Sequence, residues 1–468
     1  MFLQNLSKFI SNYRFEQASE ESLNTVKAAF LDFFGVTYRG MNEKPPKIAL
    51  KSIVDIYSRE PNPTLKASVI RTKYKADILH AAFINAISAH TLELDDGHRG
   101  AQIHLGAVVF PVAIAIAEAE NLSGREFLEA VMAGYEVGIL LGKIVNPKHR
   151  DKGFHTTGTI GTFVAGAVAA KLFKLNEEGI VNTLGLCGTQ SAGLLESDHS
   201  NSMGKTLHVG KAVYNGILSA TLAKNGFKGS ESIFEGDEGF LKTMVYDEEY
   251  AEEDFSFEDI IKDIGSVNVR DIYFKQYPFC RHIHSSIDTA LKLKASIEDE
   301  YDHIENITVK TYSVAADHNN FEPKSIEELK QSLPYAVAIA LVKGKVSVDV
   351  LNQLVEEGLL EPYSKYEDVI AIKRLVDNMD IVCEEKLNKL YPDKRPSNVI
   401  IKFDKKLRNG VFQNFTLIPK GDFENPFQLR ELIDKFKQIN PQYDISRLVV
   451  IDTIENYLVR EVIQRLNE

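Results

Sequence analysis

Histidine and lysine recur at four separated places in this sequence, each time beside small or apolar residues. These side chains transfer protons and hold negative charge near neutral pH, and apolar surroundings shift their pKa values. Eight of the twelve histidines lie between His80 and His208. The pattern therefore predicts an acid–base site assembled from distant parts of the chain. The four segments comprise residues 93–104, 153–155, 205–208 and 275–284.

The first segment combines three carboxylates with two histidines, so it could hold a metal ion or transfer protons. Its spacing matches neither an HExxH helix nor an EF-hand loop, and Gly97 and Gly100 indicate a loop. We therefore expect no metal. For Asp95 or Asp96 alone, the alternative is a carboxylate that caps the helix beginning near Leu105. The five residues are Glu93, Asp95, Asp96, His98 and His104.

The second and third segments are expected on helices. His155 directly precedes a run of small residues over 158–170 that is typical of a buried helix, and a helix N-terminus attracts anions. A lone histidine there is more often an ordinary hydrogen-bonded residue, so only the other segments favour a functional role. Lys205 and His208 are three positions apart and would share a helical face. The alternative is a surface turn, but their apolar neighbours favour burial.

The fourth segment carries Lys275, Cys280, Arg281 and His284 close to a predicted domain boundary, where clefts form. Cys280 could be a thiolate nucleophile favoured by the adjacent Arg281. A small packing cysteine is the preferred interpretation, because free cysteine is usually buried as a small apolar residue.

The elements that must position these residues are mainly helical up to about residue 265. Ser123 and Glu126 form a capping-box pattern, and Leu122 and Phe127 form the matching hydrophobic staple, so a helix should begin there. Another helical pattern, carried by Leu23, Val26, Phe30 and Phe33, is expected to stop at Gly35.

The pattern of apolar and β-branched residues changes near residue 265 and predicts a second, α+β unit. Residues 304–314, 399–403 and 411–415 favour strands, with a tight turn at Asn409-Gly410, while 334–343 and 348–358 favour helices. After Pro426 the chain should be helical again and return to the first domain. The predicted fold class is mainly α, with an all-helical domain (1–267 and 421–468) and a smaller inserted α+β lid domain (268–420).

Composition limits the classes of partner. The net charge of −12 in 468 residues argues against nucleic acid or an anionic membrane, which need a basic surface. The two most apolar runs, 105–117 and 158–170, are too short to span a bilayer. The three cysteines are widely spaced and form no CxxC pair, and residues 1–8 lack the charged-then-apolar order of a signal peptide. These features predict a soluble cytoplasmic protein.

Taken together, the motifs resemble the MmgE/PrpD family, which includes 2-methylcitrate dehydratase, cis-aconitate decarboxylase and iminodisuccinate epimerase. No single motif is specific, but their joint order and spacing are, and they extend over nearly the whole chain. The matching stretches are residues 89–96 with His104, 153–155 with 158–161, 204–210, the Lys-x-Tyr-Pro-x-Cys-Arg-x-x-His pattern over 275–284, and 332–338.

The resemblance implies a helical domain with a lid, a homodimer, and a cofactor-free site between the domains for a small di- or tricarboxylate. The site residues that it implies are the Asp95/Asp96 loop, His104, His155, Lys205, His208, Lys275 and His284. The chain departs from some relatives at Glu93, where aspartate is common, and at Leu105, where a proline often follows the histidine. It also departs at Cys280-Arg281, where the decarboxylase type has histidine and leucine.

The expected chemistry breaks a bond beside a carboxylate, so the site must stabilise developing negative charge. Lys205, Lys275 and Arg281 suit that role, and His104 and His155 are candidates for acid and base, in an order that the sequence leaves open. A hydro-lyase of the 2-methylcitrate dehydratase type is the first hypothesis. An epimerase, a cis-aconitate-type decarboxylase and an inactive binding protein of the same fold are the alternatives.

Overall fold

The computed structural model describes residues 2–57, 66–198, 202–246, 257–266, 269–297, 300–404 and 410–468. Within these ranges, the part before residue 267 is helical apart from very short strands. Its helices are α1 (Phe2–Asn12), α2 (Glu20–Gly40), α3 (Lys44–Tyr57), α4 (Ile78–His90), α5 (Gly106–Ala119), α6 (Gly124–Val145), α7 (Lys148–Asp151), α8 (Thr156–Leu172), α9 (Glu177–Gly188), α10 (Gly204–Lys224), α11 (Phe240–Met244) and α12 (Phe257–Asp263).

Local sequence explains where the central helices begin. The predicted capping box is confirmed: the Ser123 hydroxyl accepts from the Glu126 N–H, and the Glu126 carboxylate accepts from the Ser123 N–H at 2.9 Å. The run after His155 forms α8, which is buried over almost its whole length and packs against α5, α6 and α10. Small residues along α8 allow this close packing against α10.

The helix α2 does not stop at Gly35, as the sequence pattern predicts, but continues to Gly40. A side chain at position 35 would lie 2.5 Å from the Phe436 ring, so the glycine permits a close approach by another helix rather than ending its own. That helix is α20 (Leu429–Ile439), and α21 (Val449–Asp452) and α22 (Val459–Asn467) follow it. Their apolar side chains share one hydrophobic core with α2 and α5.

An extended residue separates α21 from α22. Tyr457 is extended, because its carbonyl accepts from the Gly124 N–H and the neighbouring Val459 N–H donates to the Leu122 carbonyl. These two hydrogen bonds tie the break between α21 and α22 to the beginning of α6.

Residues 277–403 enclose a second hydrophobic core beneath a four-stranded sheet. The strand order is β6-β5-β7-β8, with β5 and β6 parallel and the other pairs antiparallel. The strands are β5 (Ile304–Thr311), β6 (Met379–Cys383), β7 (Ser397–Phe403) and β8 (Val411–Thr416). The helices are α13 (His284–Ile297), α14 (Ser313–Ala316), α15 (Ile326–Leu329), α16 (Leu333–Lys343), α17 (Val348–Glu356), α18 (Glu367–Asp377) and α19 (Glu385–Asn388).

The predicted fold class, mainly α with a smaller α+β part, is confirmed. The predicted strands at 399–403 and 411–415 pair as β7 and β8, whereas Asn409 of the predicted turn lies outside the described residues. The predicted domain boundary at 267/268 also lies outside them, so the boundaries stay a prediction. No helix among the described residues is long and apolar enough to cross a membrane.

Among the described residues, two short strand pairings lie outside the four-stranded sheet, and one of them brings site residues together. The strand β1 (Ala67–Ser68) pairs with β2 (Lys75–Ala76), and β3 (Gly97–His98) pairs antiparallel with β4 (Ile272–Tyr273). The second pairing joins the first histidine segment to the beginning of the fourth. It therefore places Lys275 beside the 93–104 loop, although about 180 residues separate them in sequence.

Candidate active site

A polar cavity lies between the helical part and the α+β part, and residues from all four predicted segments line it. We call Glu93, His104, His155 and Lys205 its helical wall, and Cys280, Arg281, His318 and Arg395 its C-terminal wall. Its lining residues are Glu93, Gln102, His104, Arg150, Phe154, His155, Thr156, Leu195, Asp198, Lys205, Tyr273, Lys275, Cys280, Arg281, His282, His318, Gln331 and Arg395. A larger groove between α2 and α20 contains no histidine or cysteine among its described lining residues.

Glu93 lies between two lysines. Its Oε1 is 2.5 Å from Lys205 Nζ, and its Oε2 accepts from Lys275 Nζ at 2.9 Å. Burial by itself raises the pKa of Glu93, but the two lysines hold it well below its ordinary value. Glu93 also has a φ of 53°, a left-handed conformation that costs a residue with a side chain some stability. The fold therefore maintains a strained, ionised carboxylate between two cations.

Lys275 is almost completely buried, with 1% of its side chain exposed. Burial lowers the pKa of a lysine, but Glu93 and Asp95 together raise that of Lys275 above its ordinary value. In the same way, Asp198 and Glu93 outweigh the effect of burial and raise the pKa of Lys205. Both lysines are therefore fixed cations at the cavity.

His104 is oriented by groups behind the cavity. Its Nδ1 donates to the Asp96 carbonyl at 2.8 Å and lies 3.4 Å from Asp95 Oδ2. Because a carbonyl can only accept, Nδ1 carries the proton and Nε2 is the accepting atom of the neutral ring. Burial lowers the pKa of His104 to about 3, so the neutral form predominates at pH 7.

The ligand atoms of His90, Asp95 and His104 lie within 4.8 Å of one another, which is the geometry a metal ion could use. However, His90 Nδ1 already contacts Asp95 Oδ2 at 2.7 Å, and His104 Nδ1 is occupied by a carbonyl. An ion would have to displace both hydrogen bonds. Burial raises the pKa of Asp95, but the two histidines lower it well below its ordinary value.

His155 is the N-cap residue of α8, as its position before the small-residue run predicts. Its Nδ1 is 3.2 Å from His208 Nδ1, so one ring donates to the other and at least one of them is neutral. The His155 ring also stacks on that of His90, with centroids 5.7 Å apart. Burial and the neighbouring His90 lower the pKa of His155 well below its ordinary value.

Five of the predicted site residues do not line this cavity: Asp95, Asp96, His98, His208 and His284. Asp96 accepts from the Gly106 N–H at 2.8 Å, which is the structural alternative predicted for it, and from Tyr135 Oη at 2.8 Å. Burial raises its pKa to about 7. The other four contact cavity residues or their loops. Their direct contact with a substrate stays a prediction.

His98 and His284 have defined structural partners. His98 Nδ1 accepts from the Ala101 N–H within the first loop. His284 Nδ1 accepts from Arg281 Nη1 at 3.0 Å, and its Nε2 donates to the Phe279 carbonyl. His284 therefore orients Arg281, which lines the cavity.

Arginines dominate part of the C-terminal wall. Arg281 Nη2 is 3.1 Å from Asp422 Oδ1, and its guanidinium lies over the Tyr273 ring. Arg395 also lies over that ring, and its Nε and Nη1 are buried without a hydrogen-bond partner among the described residues. Unpartnered buried donors are uncommon, so they favour an anion that accepts from them. Sequence reasoning missed Arg395 and Arg150; a basic pair between Pro392 and Pro396 was the sole signal for Arg395.

Cys280 and His318 form a pair on the same wall. Cys280 Sγ lies 3.3 Å from His318 Nε2. Burial raises the pKa of the thiol, but His318 and Lys205 lower it to about 6. Burial lowers the pKa of His318, but Cys280 raises it above its ordinary value. Sequence reasoning missed His318 because it lies 38 positions from Cys280 in a segment without a motif.

Two family models match this chain, the MmgE/PrpD N-terminal domain over residues 4–253 and the MmgE/PrpD C-terminal domain over residues 277–444. The chain is 24% identical to the cis-aconitate decarboxylase-like protein oryM of Aspergillus oryzae, across 78% of this chain and 75% of that protein. It is 24% identical to the cis-aconitate decarboxylase of Aspergillus terreus, across 62% and 59% of the two chains. The cis-aconitate decarboxylase of Mus musculus is 25% identical, across 74% and 70%.

Proposed function

This chain belongs to the MmgE/PrpD family, and from that membership we propose that it is a cofactor-free lyase acting on a small di- or tricarboxylate. The observation that carries the proposal is the charge of the cavity. Five cationic side chains and two carboxylates line it, a formal excess of three positive charges in a chain whose net charge is −12. Such a cavity attracts small anions with several carboxylates.

The proposed reaction begins with loss of a proton from the carbon beside a carboxylate. His104 and His155 are neutral, so either ring can accept that proton. Lys205 and Lys275 then stabilise the negative charge that develops on the carboxylate oxygens. Glu93 keeps both ammonium groups in position before the substrate binds.

Within the lyases, we propose a hydro-lyase of the 2-methylcitrate dehydratase type. A carboxylate that leaves as CO2 must lose its charge, which neighbouring cations oppose, and Arg281 and Arg395 extend the cationic lining over the C-terminal wall. The second candidate is a cis-aconitate-type decarboxylase, which the names of the curated relatives favour. An epimerase of the iminodisuccinate type would use the same residues without a leaving group, and an inactive binding protein would use them for affinity alone.

Three further features belong to the same proposal. The domains comprise residues 1–267 with 421–468, and 268–420. Two copies form a homodimer, as the family resemblance implies. The protein works in the cytoplasm, in keeping with the three free cysteines among the described residues.

The deciding experiment incubates the purified protein with citrate, methylcitrate, aconitate, malate and iminodisuccinate, in water and in D2O. A hydro-lyase produces or consumes an unsaturated acid, a decarboxylase releases CO2, and an epimerase incorporates deuterium without net conversion. Treatment with a chelator should leave turnover intact. Saturable binding of an acid without any of these changes would contradict the enzyme and support the binding protein.

A further inference from the structure

We propose that His318, paired with the Cys280 thiolate, is the acid that protonates the leaving group, while a neutral histidine of the helical wall accepts the carbon-bound proton. The acid role rests on the proposed hydro-lyase reaction, whereas the ion pair itself does not. The proposal divides the chemistry between the two walls of the cavity. It also assigns the acid to a residue outside the four histidine segments.

The pair is held in place by the backbone of one segment. The Cys280 N–H donates to the Lys330 carbonyl at 2.9 Å, and the Leu333 N–H donates to the His318 carbonyl at 2.8 Å. The His318 ring is also stacked against His282, with centroids 5.9 Å apart. The segment 330–333 therefore sets the 3.3 Å contact between Sγ and Nε2 while both side chains line the cavity.

The charged neighbours favour a thiolate. Beyond His318, the groups that act on Cys280 are Lys205, whose ammonium favours the anion, and Glu93, whose carboxylate opposes it. Burial, Arg150 and Lys205 lower the pKa of His318, but Cys280 outweighs all three and raises it. His282 is held neutral by burial and adds no charge. The contact with Cys280 therefore favours the imidazolium form of His318 at the cavity.

This imidazolium complements the helical wall. His104 and His155 are neutral and can accept a proton, but neither is a protonated acid at pH 7. A hydroxyl group leaves readily only when it receives a proton. Among the described histidines that line the cavity, His318 is the one whose pKa is raised. The walls therefore supply the base and the acid separately.

The proposed step balances as follows. The C–H bond beside the carboxylate breaks, and its proton goes to the neutral imidazole of the helical wall while its electron pair forms the C=C bond. The C–O bond breaks with its electron pair on oxygen, and the His318 Nε2–H proton goes to that oxygen, so water leaves. Afterwards the helical histidine releases one proton to solvent and His318 takes one up.

The first test measures the ion pair without requiring turnover. Iodoacetamide reacts with the full-length protein between pH 5 and 9, and mass spectrometry resolves each cysteine. Exposed Cys383 and buried Cys187 serve as internal references. Although Cys280 is less exposed than Cys383, it should react faster at pH 6.5, because the thiolate is the nucleophile. His318→Gln should slow Cys280 about tenfold or more at that pH, and His303→Gln, at an exposed histidine, should not.

The second test concerns the acid. His318→Gln and His318→Asn should each lower kcat about a hundredfold, the usual contribution of a positioned acid. In the wild type, activity should fall as pH rises through the pKa of His318. Cys280→Ser removes the anion that raises this pKa, so the fall should move to lower pH.

Two results would overturn the proposal. The first is alkylation of Cys280 that is slower than that of Cys383 at pH 6.5, or that does not change in His318→Gln. Either outcome would show that Cys280 and His318 do not form an ion pair. The second is near-normal turnover in both folded His318 variants, which would show that His318 is not the acid. If the wild type converts none of the acids, the proposed function fails, and the alkylation result still decides the ion pair.

Discussion

His155 on the helical wall and His318 on the C-terminal wall line the same cavity, but their pKa values shift in opposite directions. Burial favours the neutral form of both rings. His155 has other histidines and Lys205 as neighbours, which add to that effect. His318 has a thiol 3.3 Å away that can become an anion and reverse it. The partner, rather than the depth of burial, decides the direction in which the pKa of each ring shifts.

Two adjacent carboxylates on one loop follow the same rule. Asp95 contacts two histidines, and its pKa is low despite burial. Asp96 is buried against a phenol and a backbone N–H, and its pKa rises to about 7. Two residues joined by one peptide bond therefore carry carboxyl groups whose pKa values shift in opposite directions. The following changes test how far this rule holds, in order of decreasing effect.

Replacing the neutral base should have the largest effect. His155→Gln keeps a polar side chain but removes the accepting ring, so turnover should fall by about 10² to 10⁴, the usual contribution of positioned acid–base catalysis. Steady-state kinetics on a substrate found in the screen would measure it, with His303→Gln as the matched control. Turnover within about threefold of the wild-type value would assign the base role to His104 instead.

Removing either fixed cation should be nearly as damaging. Lys205→Met and Lys275→Met should each lower turnover at least about a hundredfold, because losing one charge-stabilising group costs roughly 3 to 4 kcal/mol in the transition state. Lys389→Met, at an exposed lysine, is the control. Normal kinetics in both variants, with circular dichroism showing an intact fold, would mean that the cations serve structure alone.

Asp96→Asn tests burial without a cationic partner. The folded pKa of Asp96 is about 7 against 3.8 for the ordinary group, so between these values the folded chain keeps a proton that the unfolded chain has lost. Wild-type stability should therefore fall, relative to the variant, by about 1.4 kcal/mol per pH unit across that window. Denaturant unfolding at pH 5, 6 and 7 measures this difference. A constant difference would place the Asp96 pKa near its ordinary value.

Arg395→Lys should have the smallest effect. Lysine keeps the charge but cannot present two guanidinium N–H groups to one carboxylate, so KM should rise about tenfold with little change in kcat. Arg460→Lys, at an exposed arginine, is the control. An unchanged KM for every tricarboxylate would show that the unpartnered Arg395 nitrogens do not contact the substrate.

Much of the secondary structure could be predicted because its signals are local. The Ser123 capping box, the position of His155 before a small-residue helix, and the strands around 399–415 depend on neighbouring residues. Gly35 shows the limit of such reasoning. Its role depends on Phe436, about 400 positions later, and no local pattern reports that contact.

The sequence by itself determined the fold class, the four segments that supply the site and the excess of proton-transferring side chains, because periodicity, capping and motif spacing are properties of short stretches. Tertiary structure alone decided that Lys275 meets Glu93, that His318 meets Cys280, and that Asp95 and Asp96 differ in charge. The physical reason is that protonation depends on burial and on charges a few ångströms away. Folding brings those charges together from distant positions in the chain.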